Sequence, residues 1–124
     1  MPHKSSHENH DNVLIKDLTL EASIGIHDAE KAQKQRIIID VRQRTAPFNG
    51  QDDISDAVCY ETTVNNIEDI VRSKHFNLVE TLAHSIADMC LLNECVLNVS
   101  VKIMKPDILP QTEYVGIRVF KTRD

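Results

Sequence analysis

Only a few side chains in this 124-residue sequence could carry chemistry. Six histidines and three cysteines are the obvious candidates for metal or thiol work. Cys59, Cys90 and Cys95 are odd in number and form no CxxC pair, so they read as reduced, mostly buried thiols. His3, His7 and His10 fall in a polar tail, while His27, His75 and His84 lie far apart. No stretch has the ligand spacing of a metal site, and no metal is expected. The carboxylates and one lysine say more. Glu80 follows Asn77 by three residues at the start of an apolar helical pattern. That spacing suits a capping box, and a carboxylate there is equally a planar acceptor for two parallel N–H donors. Lys105 precedes Pro106, which steers its backbone away from the helical region. Taken alone it is a surface lysine at a strand end. To carry protons it must be neutral part of the time, which needs a desolvated or cationic setting. Tyr60 offers either a space-filling ring or a hydroxyl that both donates and accepts. Glu30 lies in a polar turn, where a solvated acid is the default reading.

These residues must be positioned by regular elements, and hydrophobic periodicity locates them. Leu18, Leu20, Ala22, Ile24 and Ile26 alternate with Thr19, Glu21, Ser23, Gly25 and His27, the period-two signature of a strand with one buried face. A polar turn, DAEKAQKQ, leads to a second strand at Ile37, Ile39 and Val41. Residues 45–58 carry Pro, Gly and Asp and read as loop. The period then changes: Val64, Ile67, Ile70 and Val71 fit one helix face, and Val79, Leu82, Ala83, Ile86 and Cys90 fit another. Period two returns at Cys95, Leu97, Val99, Val101 and Ile103, and after Pro106 and Pro110 again at Val115, Ile117 and Val119. The order ββααββ lacks βαβ alternation, which argues against a doubly wound parallel sheet. It predicts an α+β fold: an antiparallel four-stranded sheet with both helices on one face. Residues 1–11 read as a mobile N-terminal tail and residues 12–124 as one domain. The sheet's open edges call for covering or for pairing between subunits.

Composition narrows the function classes. A formal charge of -5 with scattered Lys and Arg offers no basic stripe to displace counterions from nucleic acid. No apolar run approaches the roughly 20 residues of a membrane span, and the N-terminus lacks an apolar signal core. The chain therefore reads as cytoplasmic, with no nucleic-acid or membrane partner.

Four segments, IGIHDAEKAQKQ (24–35), DDISDAVCYETT (52–63), FNLVETLAHSIA (76–87) and VKIMKPDILP (101–110), resemble the dihydroneopterin aldolase family in content, order and spacing. The resemblance covers residues 13–121. No one segment is specific; all four in order on a ββααββ frame are. The resemblance implies the tunnelling fold, in which protomers join sheets into a ring, a homotetramer or stacked homo-octamer with active sites between subunits. It also implies retro-aldol cleavage of 7,8-dihydroneopterin, a dihydropterin, to 6-hydroxymethyl-7,8-dihydropterin and glycolaldehyde, a step of folate biosynthesis. Carried over by position, Glu80 anchors the pterin through its amino group and adjacent ring N–H, and Val79 adds a backbone contact. Tyr60 and Glu30 match further substrate-binding positions. Lys105 matches the catalytic acid/base, with Tyr60 placed to assist a proton transfer. No cofactor is implied, because the C=N bond of the dihydropterin accepts the released electrons and a lysine Schiff base is unnecessary.

Glu30, in its polar turn, needs assembly with a neighbouring chain to reach a ligand. Asp107-Ile108-Leu109-Pro110-Gln111 stands where many relatives have a Gly-Ala stretch, which bears on the pocket's outer shape. Two other functions share the pattern: a dihydroneopterin triphosphate epimerase, which recloses the same bond on the other face, and a non-catalytic pterin- or purine-binding module. The 105–112 segment offers only Lys105 to a triphosphate, and a binding module has no need of both Glu80 and Lys105. The aldolase is the preferred reading.

Overall fold

The computed structural model of the chain describes residues 9–123, with Asp56 described by its backbone alone. Residues 1–8 of the expected tail, His3 and His7 among them, lie outside the described residues. Strand β1 spans Asp11–Ala22, the short helix α1 Asp28–Ala32 and strand β2 Gln35–Thr45. A 3-10 turn at Ile54–Asp56 precedes helices α2 (Tyr60–Ser73) and α3 (Val79–Leu91), followed by β3 (Val96–Lys105) and β4 (Val115–Thr122). The four strands form one sheet in the order β1-β2-β3-β4, antiparallel throughout. Helix α3 packs on β3 and β4, and α2 packs against β1 and α3. The fold is the α+β arrangement that the order of periods predicts.

Two bulges decide which side chains reach the core. Ile15 pairs with Val41 but Leu18 with Ile39, so β1 carries one extra residue between them. Asp17 takes φ 58° there, and its N–H donates to Asp40 Oδ1 at 2.7 Å. An extra residue flips the side-chain parity of a strand. Val13 and Ile15 before the bulge therefore share a face with Leu18, Leu20 and Ala22 after it, and all five pack with the core. The sequence alternation starts at Leu18 because the odd-numbered half of the same strand is out of phase with it. In β3, Asn98 pairs with Arg44 but Val96 with Thr45. This second bulge turns Val96 into the core at 0% exposure and leaves Leu97 at 41%. The expected inward positions Cys95 and Leu97 are thereby corrected: both face outward.

Three further differences have local causes. The DAEKAQKQ turn contains the helix α1. Past Ala22 the chain leaves β1, and Gly25 takes φ 126°, so Ile24 is buried while Ile26 is 57% exposed. Of the three thiols only Cys90 is buried, and burial pushes it up to about 12. The core lies between the sheet and the helices, built on Ile37, Ile39 and Val41 of β2, Ile67 and Val71 of α2, Leu82 and Ile86 of α3, and Val99, Val101 and Ile103 of β3. Gln43 continues the β2 row into this core and donates to Thr63 Oγ1 at 3.5 Å. Among the described residues no helix is long and apolar enough to cross a membrane.

Candidate active site

Lys105 is the last residue of β3, and its neighbourhood is built by the chain that leaves β1. After Ala22 the backbone runs beside the segment that joins α2 to α3. Phe76 N–H donates to Ser23 C=O at 3.0 Å, and Gly25 N–H donates to Phe76 C=O at 2.8 Å. At Gly25 the left-handed φ turns the chain into α1, and the Glu30 side chain folds back over the glycine. A Cβ on residue 25 would stand 2.2 Å from Glu30 Cδ. Only glycine leaves room for that carboxylate, and only glycine adopts this φ without strain.

The carboxylate so held is a junction. Glu30 Oε2 accepts from Lys105 Nζ at 3.0 Å and from Gln35 Nε2 at 3.1 Å. Glu30 Oε1 accepts from the His27 N–H at 3.3 Å. Gln35 also donates to Ile24 C=O at 2.6 Å, which ties the junction to the Gly25 turn. Both partners of the ion pair retain only 14% side-chain exposure. Desolvation works against the Glu30 anion, but the hydrogen bonds from Lys105, Gln35 and His27 and the lysine's charge outweigh it, so its pKa is lowered from the usual carboxylate value. Beyond Lys105 the turn is pinned by Arg36, which donates from Nε and Nη2 to the two carboxylate oxygens of Asp107 at 3.3 and 3.2 Å.

Glu30 was expected in a solvated turn, and the structure corrects this: its side chain is shielded and pairs with Lys105 of the same chain. Lys105 itself obtains the partial desolvation the sequence reading asked for, with an anionic partner in place of a cationic one.

Glu80 and Val79 occupy the first turn of α3, whose N-cap residue is Leu78 and has no side-chain cap hydrogen bond. The expected capping box of Asn77 with Glu80 does not form. The helix starts one residue later than that motif requires, and the Glu80 side chain is exposed. An uncapped start leaves the first N–H groups, including that of Val79, open to a ligand. Because Phe76 is bonded to Ser23 and Gly25, the start of α3 lies at the same end of the sheet as the Glu30–Lys105 pair.

Tyr60 is elsewhere. It opens α2 and is 66% exposed. The 14 residues of α2 make about 20 Å of helix at 1.5 Å per residue. Helix α3 returns antiparallel after a five-residue link, so Cys59 and Thr62 lie by Leu92 and Asn93 at the far end of α3. One protomer therefore pairs Glu30 with Lys105, places Val79 and Glu80 at the same end of the fold, and leaves Tyr60 a helix length away. Among the described residues no group of three or more His, Cys, Asp and Glu side chains is placed to hold a metal ion.

Comparison with known proteins decides the family. The family model described as FolB, dihydroneopterin aldolase, matches residues 13–120. The chain belongs to the dihydroneopterin aldolase family. A dihydroneopterin aldolase of Haemophilus influenzae is 29% identical over 113 residues, 90% of this chain and 96% of that protein. The folic acid synthesis protein FOL1 of Dictyostelium discoideum is 30% identical over 92% of this chain, which spans only 18% of that longer protein. A dihydroneopterin aldolase crystal structure from Burkholderia superposes with a TM-score of 0.82 at 26% identity, covering 93% of each chain. The family, the α+β fold of the single chain and the lyase activity implied by the four sequence segments stand.

Sequence reasoning missed Gly25, Gln35, Ser23 and His75, which hold the turn beneath the Glu30–Lys105 pair. Gly25 carried a usable signal, a glycine inside a β-branched run. His75 carried none, because its contacts to Ser23 and Gly25 join segments distant in sequence. Gln35 lies close to its partners Glu30 and Ile24, but a glutamine in a polar turn carries no pattern that marks it.

Proposed function

We propose that the chain cleaves 7,8-dihydroneopterin by retro-aldol chemistry in a site completed by a second copy of itself. The observation that carries this reading is the shielded Glu30–Lys105 pair at the same end of the sheet as the uncapped start of α3. Glu80 accepts the amino group and the neighbouring ring N–H of the pterin, and the Val79 N–H contributes beside it. The Burkholderia relative is bound to guanine, whose amino group and ring N–H present the same pair of donors. A bidentate, charge-assisted contact suits both.

Lys105 then acts on the side chain. As a neutral amine it removes the proton of the 2′-hydroxyl, directly or through a water. The C1′–C2′ bond breaks, glycolaldehyde departs, and the electron pair enters the ring C=N bond to give an enamine. Proton return to C1′ restores the imine and releases the hydroxymethyl product. Glu30 fixes the position of Nζ through their hydrogen bond, and the proton that Lys105 sheds before acting as base leaves to solvent. Tyr60 of a neighbouring copy assists the proton return, since its hydroxyl donates and accepts.

This arrangement needs an oligomer, a ring of four or two stacked rings, located in the cytoplasm. It uses no metal and no cofactor. Incubation with dihydroneopterin and chromatography of the products tests the reading. Glycolaldehyde and the hydroxymethylpterin are expected. Epimer alone would make the chain an epimerase, and unchanged substrate would leave a binding module.

A further inference from the structure

His75 holds the site together from outside it. It lies half-buried in the link between α2 and α3. Its Nε2 is 2.8 Å from the Gly25 carbonyl oxygen, and its Nδ1 is 2.6 Å from Ser23 Oγ. A carbonyl only accepts, so Nε2 carries the proton in that contact. The Ser23 hydroxyl donates to Nδ1 while the ring is neutral and can rotate to accept once the ring is charged, so the bridge survives either state.

We propose that His75 is a positioning residue of the reaction: by holding the Gly25 carbonyl it fixes the turn on which the Glu30 carboxylate lies, and so the place of Lys105 Nζ. This rests on the reading of Lys105 and Glu30 as the proton-handling pair. Two consecutive carbonyls are gripped here, Ile24 by Gln35 and Gly25 by His75. Gln35 is also a partner of Glu30. The glycine meets the Glu30 carboxylate so closely that no Cβ fits between them. Turning the Gly25 peptide therefore moves the surface under Glu30, and the ion pair to Lys105 moves with it. The groups facing Glu30 are Lys105 from β3, Gln35 from the start of β2 and the His27 N–H at the head of α1. His75 touches neither Glu30 nor Lys105 directly among these bonds, so its action is indirect.

The test compares His75→Gln, which keeps a donor near the Nε2 position, with His75→Asn, whose amide reaches only as far as Nδ1. Turnover against pH, guanine affinity and the titration of the Glu30 carboxyl by carbon NMR are measured for each. His75→Asn is expected to lower kcat about tenfold or more, as misplacement of a reacting group does. It should also shift the pH profile and raise the Glu30 titration toward the ordinary carboxylate range, with guanine affinity unchanged. His75→Gln should restore most of each. If His75→Asn does not fold, Ser23→Ala, which removes one anchor of the ring, should move the same readouts in the same direction by less. Wild-type values in His75→Asn or Ser23→Ala overturn the proposal. So does a fall in guanine affinity in step with kcat, which marks a general disturbance of the α3 start. Wild-type protein that cannot cleave dihydroneopterin would instead refute the reaction reading, and the Glu30 titration would still report whether His75 governs the pair.

Discussion

In the proposed reaction Lys105 carries the proton and Glu80 holds the pterin, and their substitutions should separate the two. Lys105→Ala removes the proton carrier and is expected to lower kcat by roughly 10²- to 10⁴-fold, while guanine affinity, held at Glu80, changes little. Near-wild-type turnover in that variant would show that another group moves the proton. Glu80→Gln keeps the shape but offers a single oxygen acceptor in place of a carboxylate. Loss of a charge-assisted partner costs about 1.5–3 kcal/mol, roughly ten- to a hundredfold in affinity. Because Glu80 makes no capping box, the melting temperature of Glu80→Gln should match that of the wild type; calorimetry beside guanine titration checks both halves. Glu30 adds a pH dependence. Its pKa is lowered in the folded chain, so the unfolded chain binds its proton more readily. The stabilisation is full above the unfolded value, near 4.5, and is lost as pH falls through the lower folded value. Glu30→Gln should therefore flatten the acid limb of stability measured below about pH 4.5, and an unaltered limb would assign acid unfolding to other carboxylates.

At the scale of the element, the bulges in β1 and β3 set the phase of two strands that carry much of the core. Val96 and Leu97 are adjacent apolar residues with opposite fates. Val96→Asn places an amide in the core without a partner and should cost about 2–4 kcal/mol. Leu97→Asn replaces a partly exposed side chain and should cost no more than about 1 kcal/mol. Urea unfolding of the two variants decides the matter, and the reverse order would mean that the strand keeps its simple alternation through Leu97. The same parity switch explains why the first half of β1 escapes a period-two search although Val13 and Ile15 pack against the core. Periodicity registers phase, and one extra residue resets it.

Across the whole molecule, the length of α2 places Tyr60 and Lys105 at opposite ends of one protomer, and among the described residues the edge strands β1 and β4 each pair on one side. If Tyr60 serves the pocket of a neighbour, defects in the two residues must complement. Lys105→Ala and Tyr60→Phe chains, each weakly active alone, should regain activity when refolded together, because about a quarter of the sites in an equal random mixture then hold both intact groups. Light scattering on the wild type should report a species several times the 14.1 kDa chain mass. A monomer, or a mixture no more active than its parts, would confine the site to one chain and exclude Tyr60 from it.

The order of elements, the two helix faces, most of the core and the four segments that carry Glu30, Tyr60, Glu80 and Lys105 were legible in the sequence, because periodicity and short motifs are local properties of a chain. The bulges were not, since a lone inserted residue leaves no mark until a partner strand is paired against it. Nor was the Glu30–Lys105 contact, which spans 75 positions and depends on a left-handed glycine, on Gln35 and on a histidine in a different link. Local sequence dictated which side chains could act; the closing of β1 onto the α2–α3 link, where hydrogen bonds and close packing leave one place for the Glu30 carboxylate, decided which of them meet.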